Sequence, residues 1–195
     1  RVLLISILPN SHRNLSILSL YAFLKKAGLD VIVLFIPNRQ EYRGDLLKKF
    51  ISDHKFNLVG ISCMTEGFRF AKVITQNIKE EAPQSIVVWG GVHPTLRPEE
   101  CLPYADCICI GEGEETLLAL AERLSESKDF SNLPGIAILY SDRKPIINPQ
   151  PPLIDINTLP LITYDWPNFY IQDTDGLLPF DHNKYCAYSN YRGSA

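Results

Sequence analysis

Two glycine clusters mark where a flat or charged ligand could approach the backbone closely. Gly90-Gly91-Val92-His93-Pro94 follows the apolar run Ile86–Trp89, and Gly111-Glu112-Gly113-Glu114-Glu115 follows Cys107–Ile110. Glycine has no Cβ and tolerates positive φ, so a buried strand that ends in glycine leaves room at its tip. Two such endings in adjacent strand units make one mouth from two loops. Ser62, Thr65 and Gly67 surround the end of a further apolar run. Hydroxyls there can donate to a buried acceptor of a ligand inserted between sheet and helix, while Thr65 equally suits a helix cap. His93 either faces such a ligand or is a backbone-bonded turn residue before Pro94. Gly111-x-Gly113 alone reads as a tight strand-to-helix turn, with Glu114 and Glu115 favouring the helix N-terminus, and this is compatible with ligand contact. His54 and His182 carry no context and read as surface residues.

Positioning these loops requires a regular scaffold, and the chain supplies one. Arg1–Leu8 is an apolar run rich in branched residues, broken by Pro9-Asn10-Ser11-His12; it reads as a strand buried on both faces. An amphipathic helix follows, closed at Gly28 after Lys25-Lys26. Val31–Ile36 is a second strand, Leu46 to Ile51 carries the stripe of a second helix, and Asn57–Cys63 is a third strand. Phe68, Ala71, Ile74 and Ile78 recur at helical spacing. The fourth and fifth strands end at the two glycine clusters, with a proline-punctuated segment between them and a helix from about Glu114 to Leu124. Strands alternating with helices over short connections predict an α/β, doubly wound, flavodoxin-like (Rossmann-like) fold. The expected five-stranded parallel sheet has order 2-1-3-4-5, and its ligand site lies beyond the carboxyl ends of the strands. The domain so defined spans 1–125. Residues 126–195 read as a hairpin at Gly135–Asn148 followed by an extended proline-rich strap or linker.

Composition excludes several alternatives. A chain of 195 residues with 46% hydrophobic and 21% charged residues is ordinary for a globular protein. The net charge of -3 offers no basic field for nucleic acid. No apolar run approaches the roughly 18 residues of a membrane span. Five cysteines, with Cys63, Cys107 and Cys109 inside apolar runs, suggest buried thiols in a reducing cytoplasm. Cys107-x-Cys109 puts two thiols on one strand face, ordinarily as core and less often as a metal pair. Start at Arg1 suits a piece of a longer protein. Nucleophile elbows, zinc-protease pairs and phosphate loops have no counterpart here.

The same residues resemble a known family. Gly90-Gly91-Val92-His93-Pro94-Thr95 resembles the Gly-Gly-x-His-x-Thr segment of cobalamin-binding domains that precede radical S-adenosylmethionine cores. Asp106–Thr116 resembles that family's Asp-x-(apolar)-x-Gly-Glu-Gly-Glu-x-Thr. Leu58–Ser62 with Thr65 and Ala71 fits its third-strand segment, and Leu133–Ala137, a hairpin and Leu159-Pro160 fit its connecting strap. The likeness covers roughly residues 1 to 165. It implies cobalamin with its corrin over the carboxyl edge of the sheet. Gly90 and Gly91 would let its nucleotide tail pass close to the backbone, Ser62 and Thr65 would line the buried end, and Gly111 and Gly113 would form the far wall, with Gly67, Val92, His93 and Glu112 as further cofactor-binding candidates.

Two departures accompany the resemblance. Related mutases carry Asp-x-His-x-x-Gly after the first strand, whose histidine binds cobalt. Here Asn10, Ser11, His12, Arg13, Asn14 and Leu15 stand there. His12 is in register as an axial ligand, but Asn10 replaces the orienting aspartate and Leu15 the glycine. A solvent-facing loop histidine is the simpler account, since many radical relatives lack a protein ligand. The family's cluster motif, Cys-x-x-x-Cys-x-x-Cys, does not occur in these residues, although Tyr191-Arg192-Gly193 is similar to its lead-in. The 4Fe-4S cluster, S-adenosylmethionine site and catalytic core are therefore expected in cis, outside this sequence, and the chain by itself is not catalytic. The competing readings are a vestigial scaffold or docking domain without cofactor, and a flavin or phospho-receiver module. The receiver lacks its acids, because Pro9-Asn10 and Ser62-Cys63 occupy their places.

Overall fold

A computed structural model describes residues 1–7, 14–140, 144–162 and 166–181. Five parallel strands form its centre: Val2–Ser6 (β1), Val31–Phe35 (β2), Leu58–Ser62 (β3), Ile86–Gly90 (β4) and Cys107–Cys109 (β5). They pair side by side in the order β2-β1-β3-β4-β5. Their branched apolar residues suit strands covered on both faces, and every residue of β1, β2 and β5 is buried. Leu15–Lys26 (α1), Gly44–His54 (α2), Phe68–Glu81 (α3) and Glu114–Ser125 (α6) are the crossovers, with two short helices, Val92–Leu96 (α4) and Pro98–Cys101 (α5), in the proline-punctuated segment. Asn14 caps α1 by accepting from the Ile17 amide at 3.3 Å, and Lys25 and Lys26 end the helix before Gly28, whose φ is +86°.

Alternation along the strands feeds two separate cores. Leu3, Ile5, Val59, Ile61, Val87 and Trp89 face α2 and α3, packing on Leu47, Phe50, Ala71 and Ile74. Leu4, Leu58, Val88, Cys107 and Cys109 face α1 and α6, packing on Ile17, Leu18, Tyr21, Leu117 and Leu120. The sheet is thus covered on both sides.

The sheet is larger than the five strands expected. Nine strands run in the order β7-β6-β5-β4-β3-β1-β2-β8-β9. Ile136–Leu139 (β6) and Pro145–Ile147 (β7) form the expected hairpin, but β6 pairs antiparallel with β5 and extends the sheet. The strap also contributes. Phe169–Asp173 (β8) pairs parallel with β2, and Gly176–Pro179 (β9) pairs antiparallel with β8. A free edge of β2 offers unpaired backbone groups, and Phe169, Ile171 and Phe180 are buried against Phe35 and Tyr21. The strap needed no core of its own because it borrowed one. His54, expected at the surface, is half-buried; its Nδ1 lies 3.0 Å from the Phe50 carbonyl oxygen and its ring packs between Phe50 and Phe56.

Candidate functional site

A cavity of about 350 Å³ opens at the carboxyl end of the sheet, on the α1 and α6 side. Its floor comes from alternate residues of four neighbouring strands: Leu4 on β1, Gly60 and Ser62 on β3, Val88 and Gly90 on β4, and Cys109 on β5. Ser16, Ile17, Ser19 and Leu20 of α1 form one wall; Gly113, Glu114 and Leu117 form the other, with Gly91, Gly111 and Glu112 at the rim. The space exists because the floor side chains are small. A Cβ added at Gly60 would stand 3.1 Å from Leu4 Cδ2, and one at Gly90 would meet nothing closer than 3.7 Å. A side chain at Gly90 would project into the slot, and one at Gly60 would press on Leu4.

Polar groups tie the walls together. Ser19 Oγ donates to Glu114 Oε1 at 2.7 Å, joining α1 to α6 across the slot. Asn14, buried at the head of α1, donates through Nδ2 to Ser6 Oγ at 3.0 Å and to Ser62 Oγ at 3.5 Å. Gly91 allows the chain to leave β4 over β3: its φ is +97°, and a Cβ there would lie 2.9 Å from the Cys63 carbonyl oxygen. Gly111, at φ +82°, passes under Gln150, while its amide donates to Thr95 Oγ1 at 3.1 Å. Glu112 reaches outward and accepts from the Ile154 amide at 2.8 Å, so part of the strap is fastened to the rim.

The structure thus brings together six of the residues singled out in the sequence: Ser62, Gly90, Gly91, Gly111, Glu112 and Gly113. Four others lie elsewhere. Thr65 is exposed on a 3-10 turn, Thr65–Gly67, and does not line the cavity. Gly67 packs against Ile7 and Cys63 on the opposite side of the sheet, where a Cβ would come within 3.0 Å of Ile7 Cδ1. The chain turns away after Ser62, which carries both residues off the α1 face. Val92 points to solvent, 55% exposed, and His93 is buried with its ring 4.9 Å from that of Phe68. His93 Nε2 has no hydrogen-bond partner, while its backbone amide donates to the Cys63 carbonyl at 3.3 Å, so the histidine is a packed, backbone-bonded residue of a short helix. Asn10, Ser11 and His12 lie outside the described residues. Sequence reading misses Gly60, Ser16 and Ser19, and gives Glu114 only as favouring a helix N-terminus and Asn14 only as a position in the loop after the first strand; a glycine inside the apolar run Leu58–Ser62 was the available signal for Gly60.

Cys63, Cys101, Cys107 and Cys109 are free thiols buried in the core. Burial, reinforced by the charge of Glu114, pushes the Cys109 thiol up to about 12, so it stays protonated at neutral pH. Burial also raises Cys107, further still. Among the described residues no group of three or more His, Cys, Asp or Glu is placed to hold a metal ion, and no helix is long and apolar enough to cross a membrane.

A slot between sheet and helix, floored by glycine and serine and rimmed by glycine loops, suits a flat group carried on a polar tail. The family model for the B12 binding domain matches residues 1–121. The anaerobic magnesium-protoporphyrin IX monomethyl ester cyclase of Rubrivivax gelatinosus is 29% identical over 154 residues, covering 75% of this chain and 27% of that protein. An uncharacterized methyltransferase of Pyrococcus horikoshii is 30% identical over 145 residues, covering 71% of this chain and 28% of its own length. The chain therefore spans little more than a quarter of these relatives. The radical S-adenosylmethionine methyltransferase TsrM from Kitasatospora setae, solved with cobalamin and a [4Fe-4S] cluster bound, superimposes with a TM-score of 0.67 at 19% identity, over 82% of this chain and 31% of TsrM. That likeness is one of fold.

Proposed function

We propose, from the premise that this chain belongs to the B12-binding domain family, that it holds cobalamin for a radical S-adenosylmethionine core in the same polypeptide. The observation that carries this reading is the slot itself: small residues at Gly60, Ser62 and Gly90 leave it open where side chains of ordinary size would close it. That openness favours a cofactor-binding domain over a vestigial scaffold. Leu4, Gly60, Val88 and Leu117 would enclose the nucleotide base. Ser16, Ser62 and Ser19 supply hydroxyls for the adjoining polar tail, and Gly90, where an added Cβ would meet nothing closer than 3.7 Å, lets it run against the backbone. Bound cobalamin would supply a transferable methyl group, or assist a cyclisation or oxidation. The cyclase and methyltransferase relatives support that range, and the cytoplasm, with its reduced thiols, suits it. The 4Fe-4S cluster and S-adenosylmethionine belong to the core and not to these residues.

Titration of the full-length protein with hydroxocobalamin, followed by its visible spectrum and co-elution on gel filtration, tests the reading. Gly90→Leu should abolish co-elution while the circular dichroism spectrum is kept, because the new side chain enters the slot rather than the packed core. Co-elution that survives Gly90→Leu unchanged would place the cofactor elsewhere. Asn10, Ser11 and His12 are cofactor-binding candidates by resemblance, and His12 is the candidate cobalt ligand. His12→Ala should leave the bound spectrum unaltered, since Asn10 stands where an orienting carboxylate would be; a shifted spectrum would make His12 the axial ligand.

A further inference from the structure

The slot is graded from polar to apolar along its depth. Strand register sets the levels: Ser6, Ser62 and Gly90 are paired neighbours nearest the mouth, and Leu4, Gly60 and Val88 are paired neighbours one step in. On the helix side Leu20 and Leu117, at i+4 from Ser16 and Gly113, line the slot with hydrocarbon, and they reach back to the outer level as well, since a Cβ added at Gly113 would lie 3.0 Å from Leu20 Cδ2. The Ser19–Glu114 hydrogen bond closes the outer level on the helix side. None of the residues lining the inner level carries a polar side chain, and the strand backbone there is engaged in its own ladder.

We infer that this chain selects corrinoids by the outer edge of their lower base, favouring a base whose buried edge is hydrocarbon, such as dimethylbenzimidazole, over a purine such as adenine. The inference rests on the cobalamin reading above and adds specificity to it. A hydrocarbon edge entering between Leu4, Val88, Leu20 and Leu117 gains burial without losing a hydrogen bond. An adenine in the same space would take its exocyclic amine and ring nitrogens out of water and find no partner at the inner level. An unsatisfied buried polar group of that kind weakens binding by about 10- to 100-fold.

Binding of three corrinoids to the full-length protein, measured by isothermal titration, tests this. Cobalamin, its adenine-bearing analogue, and cobinamide, which lacks the nucleotide, are compared. The expected order is cobalamin tightest, the adenine form about 10- to 100-fold weaker, and cobinamide weaker than cobalamin. An adenine form binding as tightly as cobalamin, or more tightly, overturns the selectivity while leaving the slot in use. Cobinamide binding as tightly as cobalamin, or no binding of any of the three, overturns the slot reading and this inference with it. Val88→Thr, of nearly the same shape, places a hydroxyl at the inner level and should narrow the preference by about three- to ten-fold. An unchanged ratio in that variant would remove the inner level as its source.

Discussion

Trp89 and Gly90 are neighbours in sequence and point to opposite faces of one strand, and the two faces were built to opposite ends. Under α3, Trp89 is fully buried, its Nε1 donates to Thr75 Oγ1 at 2.8 Å, and its ring meets that of Phe68. Under α1, the position beside it carries no side chain, and a cavity remains. The contrast shows that the slot is not loose packing. The same sheet, at the same level, is filled to the last ring on one side and left open by Gly60 and Gly90 on the other.

The strongest way to break this comparison is to hollow the filled face. Trp89→Ala should cost about 3–5 kcal/mol, with loss of a packed ring and an orphaned Thr75. Urea unfolding measures it, and a loss under 1 kcal/mol would mean that the closed face tolerates voids as the open one does. Next comes the hinge between faces. Gly91→Ala meets both a positive φ and the Cys63 carbonyl, so about 2–3 kcal/mol should go, read from the same denaturation midpoint.

A milder effect, common to both faces, appears with pH. Burial raises the Cys63 and Cys109 thiols to about 12 and Cys101 to about 11, from an ordinary 9.0. The folded state then holds these protons more tightly than the unfolded chain. Stability from these groups is intact below pH 9.0 and declines as the pH rises through 11 to 12. Thermal melts in alkaline buffers should fall accordingly; Cys109→Ala and Cys63→Ala should each flatten the decline, and a pH-independent melt from 8 to 11 would contradict it. Smaller still is Ser19→Ala, which removes the bond to Glu114 and should cost about 1 kcal/mol. Gly90→Ala should cost nothing or stabilise by about 0.5 kcal/mol, since its Cβ would meet only Cys109, at an ordinary 3.7 Å, and its φ is not positive. A large loss there would show that the slot is already full.

Much of the scaffold was legible because its signals are local. Branched apolar runs marked β1 to β5, and Phe68, Ala71, Ile74 and Ile78 marked α3 by period. The rim glycines were legible for the same reason, since Gly91 and Gly111 serve backbone turns that neighbouring residues dictate. Less was legible where partners are distant. Thr65 and Gly67 sit beside Ser62 in sequence, yet the chain turns off the α1 face after β3 and takes them away.

What the sequence alone determined was a doubly wound parallel core with glycine-ended strands at one edge, and a family resemblance that the B12-binding match bears out. Only the tertiary structure decided that the strap would add β8 to the open side of β2, because a free edge is filled by whatever segment can reach it. It also decided which residues meet in the slot. Ser19 and Glu114 are 95 positions apart, and only two helices packed on the same sheet face bring them within a hydrogen bond.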